Sequence, residues 1–344
     1  MKHKLIILAL ILSVIVPFTL NAVSQSAVIF LTIEPGSHAG AMGAAFTAQA
    51  EDAFAAYWNT GALAFNRKTQ FAGMHSNWFG AIFNDMYFEY LAWNQYFEDV
   101  GNIGLNFTYM TYGEQEGMDE DGHSTGSFRS YDLAAAASYA YQVSQNVGLG
   151  LSFKFILSDL APENANETET ESSAKGQGMS YAFDLGVKYK NVGIERLDFG
   201  WSLQNIGPNI TYINESQSDQ LPMNWRMGLS YRLFDTQYSK LTVNSDMSKV
   251  LADDTTDPVY TRIITAWDGD SPIYNIGAEY GYYNLLFLRA GYINDSAGDI
   301  IGASFGAGLE YTFSEQYRFS LDFAMQPAGG LTDYNQTFTA RIEF

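Results

Sequence analysis

Cysteine is absent from this 344-residue chain. That excludes a disulfide framework, thiol catalysis, cysteine-ligated zinc or iron–sulfur sites and a lipidated N-terminal cysteine. Charge is scarce: 16% of residues are Asp, Glu, Lys or Arg, against roughly 25% in soluble domains. Basic charge is scarcer, with Lys+Arg 18 against Asp+Glu 38 and a formal net charge of −20. No basic stripe is present to bind nucleic acid. Mean hydropathy is −0.12, so the chain is not a bundle of membrane helices. Histidine is limited to His3, His38, His75 and His123. No Gly-x-Ser-x-Gly elbow, phosphate-binding glycine loop or His-Glu-x-x-His motif occurs. Neither an enzyme nor a bound cofactor is expected. What is plentiful is 23 Tyr, 24 Phe and 31 Gly. That much apolar surface must be buried somewhere, which excludes disorder.

The chain opens MKHKLIILALILSVIVPFTLNAVS. Lys2 and Lys4 precede an apolar run over residues 5–20, and Ala22 and Ser24 supply small residues before a cleavage point. This reads as a secretory signal peptide over 1–24. Its removal takes away two lysines and no acid, leaving a charge of −22.

After about residue 67 the chain alternates with period two. Val147, Leu149, Leu151, Phe153, Phe155 and Leu157 share one face, and Gly148, Gly150, Ser152, Lys154 and Ser158 share the other. Tyr181, Phe183, Leu185, Val187 and Tyr189 oppose Asp184, Gly186 and Lys188. Successive side chains of a strand point to opposite sides, so these are strands with one apolar and one polar face. The runs exceed the usual 5–6 residues of soluble strands and match the roughly 9–11 that cross a bilayer. Mid-strand ionisable residues, among them Lys154, Asp184, Lys188, Asp198, Arg226, Asp246, Glu279, Arg289, Glu310 and Asp322, suit a wet or salt-bridged lumen. Asp184 and Lys188, four apart on one face, are expected to find their partners on neighbouring strands.

Fourteen such segments are expected, from about 68–75 to 334–344, the third and fourth at 101–112 and 128–142. Short and longer links alternate, as between the two rims of an outer-membrane barrel. With both termini periplasmic, the longer links 113–127, 159–176, 207–222 and 251–271 fall outside. The terminal FTARIEF places Phe338, Ala340, Ile342 and Phe344 toward lipid. The fold class expected is an all-β transmembrane antiparallel barrel of about fourteen strands spanning 67–344.

Residues 25–66 carry no period-two run. AAFTAQAEDAFAAYWN (44–59) reads as a short helix ended by Asn59 and Gly61. Small and apolar residues favour packing inside the lumen at the periplasmic end as a plug, with a surface-lying arm as the other arrangement. Acidic clusters mark the outer loops. Asp119, Glu120 and Asp121 are candidates for a calcium site, since hard cations prefer clustered carboxylates. A solvated loop explains the same residues.

The run GSHAGAMGAAFTAQAEDAFAAYWNTGALA resembles the N-terminal signature of PorV/PorQ-family outer-membrane proteins. The matching positions include Met42, Gly43, Asp52, Trp58, Asn59 and Gly61, although Asn59-Thr60-Gly61 lacks the family's usual proline. FGWSLQNIGPNITY (199–212) and LPMNWRMGLSY (221–231) are similar to its middle strands. The resemblance implies a barrel similar to the long-chain fatty-acid transporters, with an N-terminal plug built on those six residues. It implies residence in the outer membrane of a Gram-negative, Bacteroidetes-like bacterium. It also implies a role in type IX secretion, binding the C-terminal domains of secreted cargo or subunits of the apparatus through outer loops. Asn205, Gly207, Pro208, Asn209, Pro222 and Asn224 are the loop candidates for that contact. The other function implied is transport of hydrophobic small molecules.

Overall fold

The computed structural model describes residues 26–80, 82–118, 121, 123–161, 176–212, 218–252, 257–267, 271–313, 316–331 and 334–344. The expected signal peptide and the carboxylates Asp119 and Glu120 lie outside them. Among the described residues fourteen long strands follow in order. They are β1 (Gln70–Asn77), β2 (Met86–Phe97), β3 (Gly101–Met118), β4 (Ser124–Gln142), β5 (Val147–Ala161), β6 (Gly176–Tyr189) and β7 (Leu197–Ile206). The remainder are β8 (Asn224–Asp235), β9 (Ser239–Val250), β10 (Ile273–Tyr282), β11 (Leu286–Asp295), β12 (Ile300–Thr312), β13 (Arg318–Pro327) and β14 (Tyr334–Glu343). Each is antiparallel to the next, and β1 pairs with β14 from Gln70↔Glu343 to Asn77↔Gln336. The ring is therefore closed, and no sheet edge is left to meet hydrocarbon. A two-residue ladder, Ile210–Thr211 with Ser218–Asp219, sits in the link after β7.

Side chains alternate as the sequence demands. On β6, Tyr181, Phe183, Leu185 and Tyr189 are exposed, while Ala182, Asp184, Gly186 and Lys188 are buried. At the C-terminus Phe338 and Ile342 are exposed and Thr339 is buried. Thr69 and Phe344 exchange backbone hydrogen bonds, so strand one begins and the chain ends at the same rim. The short turns share that rim, and the longer links share the other.

Two expectations are corrected. First, β3 and β4 run past the proposed loop boundary, to Met118 and back from Ser124. Glu114 pairs with Arg129 and Glu116 with Ser127 across this extension. Alternating charge and glycine there hid a hairpin that stands above the apolar band. Second, residues 44–59 do not form one helix. Only a single turn, α2 (Ala55–Trp58), is helical, after α1 (Ser37–Ala41) upstream. The chain turns sharply at Gly43 and Ala44, both at positive φ, because it must follow the inner wall and not its own axis.

Candidate functional site

The N-terminal segment fills the lumen. Trp58, Met42, Leu63, Ala62 and Ala53 are fully buried, and the main apolar cluster joins most of the segment to inward-facing Met74, Phe88, Tyr90, Met110 and Ile156 of the wall. Against the expectation that both ends lie at the short-turn rim, the segment enters from the long-loop rim, where the Ala27 amide donates to the carbonyl of Gln220; only the C-terminal end lies with the short turns. It leaves at the short-turn rim, leading into β1.

Backbone meets backbone where the wall is glycine. A Cβ on Gly277 would collide with the carbonyl oxygen of Met42, and one on Gly291 with the nitrogen of Gly43. On the opposite side a Cβ on Gly150 would run into the carbonyl carbon of Thr60, and one on Gly200 into the carbonyl oxygen of Thr47. One on Gly186 would lie 2.5 Å from Asn59 Oδ1 and 2.6 Å from the nitrogen of Gly61. Real Cβ atoms cannot sit that close, so these wall glycines are notches cut for the plug. The sequence shows them only as small inward-facing residues.

Polar groups close the remaining gaps. Asp246 Oδ2 accepts from the backbone nitrogens of Phe46 at 2.9 Å and Thr47 at 2.7 Å. Asn59 donates through Nδ2 to the carbonyls of Thr47 and Val187, both at 3.0 Å, while its Oδ1 accepts from Gly61 at 3.1 Å. Trp58 Nε1 donates to the Pro35 carbonyl at 2.9 Å. Buried polar atoms need such partners, because an unmet one costs about 1–3 kcal/mol.

Four ionisable plug side chains each meet an opposite or hydrogen-bonding partner on the wall. Glu34 lies 2.7 Å from Arg226, whose guanidinium also stands 4.9 Å above the Trp58 ring. Glu51 lies 2.7 Å from both Lys188 and Lys190. Asp52 lies 2.8 Å from Arg341. His38 Nε2 lies 2.7 Å from Glu279, which also takes Arg289 at 2.7 Å. Burial pushes the Glu34 carboxyl up, and Arg226 offsets only part of that. Burial would also raise Glu51, although half its side chain faces a cavity, but the two lysines outweigh it and hold the carboxyl well below the usual range. Within the wall, Lys154 bridges to Asp184 of the neighbouring strand at 3.2 Å, as the spacing of Asp184 and Lys188 required.

Two larger cavities remain at the ends of the plug. One, of about 550 Å³, opens at the short-turn rim and is lined by charge, including Glu51, Lys188, Glu279, Arg318 and Arg341. The other, of about 420 Å³, opens at the long-loop rim between Ile29, Glu34, Trp78, Arg226, Ile273 and Ile293. The plug stands between them.

All six plug candidates, Met42, Gly43, Asp52, Trp58, Asn59 and Gly61, thus lie in the lumen at its contact with the wall. The loop candidates divide. Asn205, Gly207, Pro222 and Asn224 are buried, and only Pro208 and Asn209 are exposed. Asn205 takes Lys154 on Oδ1 at 2.6 Å and ties down Pro222 by donating to its carbonyl at 2.9 Å. Of the six loop candidates, Pro208 and Asn209 are thus the two whose side chains reach the outer surface. Asp121 is an exposed turn residue, and no group of three metal-ligating side chains occurs among the described residues. His75 has a partner that sequence did not disclose: its Nδ1 lies 2.7 Å from Glu89 on the outward face of β1 and β2. Sequence reading also missed that Arg226, Lys188, Glu279 and Arg341 answer to the plug. For Arg226, Lys188 and Arg341 the signal was an inward charge with no acid directly opposite on an adjacent strand, whereas Glu279 faces Arg289 and gave no such signal.

The family model described as type IX secretion system protein PorV matches residues 19–257. No curated protein sequence matches the chain. Among solved structures it is similar to the Pseudomonas putida toluene transporter TodX, with a TM-score of 0.55 and 13% identity over 94% of this chain and 99% of that one. A TodX monoaromatic hydrocarbon channel carrying the deltaS2 mutation gives 0.58 and 14% over 90% and 98%. The Ralstonia pickettii toluene transporter TbuX gives 0.52 and 12% over 90% and 97%. At these identities the likeness is one of fold.

Proposed function

This chain belongs to the PorV family of type IX secretion system proteins, and from that premise we propose that it is a binding protein whose outer rim holds the C-terminal domain of secreted cargo, or a subunit of the apparatus, without catalysing a reaction. It is a barrel of the Gram-negative outer membrane, and its partners are secretion-related. The observation that carries the binding reading is the committed lumen. Wall glycines, Asp246, Arg226, Lys188 and Arg341 are all engaged by the plug. A channel for hydrophobic molecules needs a continuous apolar path, and here a fully buried Trp58 and Met42 stand in it. The contact surface therefore consists of the outer loops around Pro208 and Asn209 and the mouth of the 420 Å³ cavity.

The test is binding of an isolated cargo C-terminal domain to the full chain in lipid nanodiscs. Asn209→Arg is expected to weaken binding at least tenfold with unchanged thermal unfolding. Unchanged binding by Asn209→Arg, together with toluene flux through the unmodified barrel in liposomes, would favour the transporter reading instead.

A further inference from the structure

The link between β9 and β10 contains α3 (Val259–Thr265), and its position is unusual. Leu203 of β7 points outward, since its neighbours Ser202 and Gln204 are buried in the lumen and Gln204 donates to the plug carbonyl of Tyr57. An outward leucine should face lipid, yet Leu203 is 3% exposed. It is covered by Leu251 and Ala266 from this link, together with Met223, and Val259 packs against the same cluster. Trp225 is outward too, lying between lumen-facing Asn224 and Arg226 and opposite Leu203. The ring of Trp267 stands edge-on to it at 5.2 Å. The link therefore folds down over the outside of the barrel rim.

That places one face of α3 away from the wall. Val259, Arg262 and Ala266 face inward, and Arg262, fully buried, donates to Gln220 at 2.9 Å. The opposite face carries Tyr260, Ile263 and Ile264, at the i, i+3, i+4 spacing of one helical side, while Trp267 beyond the helix turns back onto Trp225. Tyr260 is 75% and Ile264 80% exposed, more than Leu91 at 57% on the lipid-facing wall. Residues 258–267 contain no acid, although Asp253, Asp254 and Asp257 precede them and Asp268 and Asp270 follow. An acid-free apolar stripe continuous with outward Trp201 and Trp225 has the composition of the membrane–water interface, where tryptophan and tyrosine concentrate.

We propose that α3 is an interfacial anchor, lying along the barrel wall in the head-group region of the outer leaflet with Tyr260, Ile263 and Ile264 set among lipid. Arg262 and Ala266 fasten the helix to the barrel, and the exposed stripe holds the rim at a fixed depth in the bilayer.

Because the chain has no cysteine, single cysteines report cleanly. Ile264→Cys, Leu91→Cys and Asn209→Cys are each labelled with a nitrobenzoxadiazole and reconstituted in phosphatidylcholine vesicles, with barrel closure checked by the heat-dependent gel shift. Quenching is read with lipid carrying a nitroxide at acyl carbon 5, and separately with aqueous iodide. The label at 264 is expected to show lipid quenching within twofold of the label at 91. Its iodide quenching should be at least threefold weaker than at 209. Iodide quenching at 264 equal to that at 209, with no lipid quenching, would overturn the proposal. Shielding that arrives only when a secreted protein is added would overturn it as well and make the stripe a protein-docking surface. Tyr260→Cys repeats the measurement if Ile264→Cys does not close.

Discussion

The two faces of one wall obey different rules, and β6 shows both. Its outward residues Tyr181, Phe183, Leu185 and Tyr189 meet a solvent that is the same everywhere, so any large apolar side chain serves. Its inward residues Ala182, Asp184, Gly186 and Lys188 meet particular atoms: Gly186 takes Asn59 and Gly61, and Lys188 takes Glu51. Lipid asks only for hydrophobicity. A folded plug asks for shape and charge at each position.

The sharpest way to break this contrast is to strip the wall of one plug partner. Arg226→Ala leaves the partly buried Glu34 without its cation and removes the cation above Trp58. Breaking a fully buried pair on one side costs roughly 3–5 kcal/mol; since Glu34 keeps 21% of its side chain exposed, denaturant unfolding is expected to show a loss at the lower end, about 3 kcal/mol. Adding Glu34→Ala should recover part of it, since the uncompensated charge goes. The next effect is steric. Gly186→Val drives a side chain into Asn59 and the Gly61 backbone, and overpacking of this kind costs about 1–3 kcal/mol. One residue away, the outward change Leu185→Val should cost under about 1 kcal/mol by the same assay, since it removes one methylene from a lipid-facing side chain. Equal losses at 185 and 186 would erase the distinction between the faces.

The smallest effect is a pH dependence. Lys188 and Lys190 hold the Glu51 carboxyl below its ordinary value of 4.5. A depressed carboxylate stabilises the docked plug above its unfolded value, and that contribution falls away as the pH drops below about 4.5 and through the folded value. Half of the side chain faces solvent, so the effect is about 1 kcal/mol or less. Glu51→Gln should flatten this part of the stability–pH curve between about pH 5 and the acid limit.

The outward face was legible because its rule is periodic. Alternation located all fourteen strands, and Phe338, Ile342 and Phe344 at the end of the last one point as read. The alternation of short and longer links gave the two rims. The inward face was legible only as polar and small. Period two reports that Gly150, Gly186 and Gly277 point inward but not which backbone lies against them, since that depends on residues tens to hundreds of positions away. For the same reason Asn205, at a strand end beside the link 207–222, looks free to face a partner in sequence, whereas Lys154, Asp184 and Pro222 draw it into the interior. Helix α3 escaped notice because a seven-residue segment between acidic runs has too few turns to show a period.

The central claim is that the N-terminal segment sits in the lumen as a fitted part of the wall. The Ser37 and Thr339 hydroxyls lie 2.9 Å apart across that contact, and the chain has no thiol of its own. In the double variant Ser37→Cys/Thr339→Cys, mild oxidation in native outer membranes is expected to give a nearly complete intramolecular crosslink between plug and β14, detected as a shift in the denatured gel mobility. A pair that stays reduced, with the thiol introduced at position 37 freely labelled by a bulky maleimide, would contradict the account.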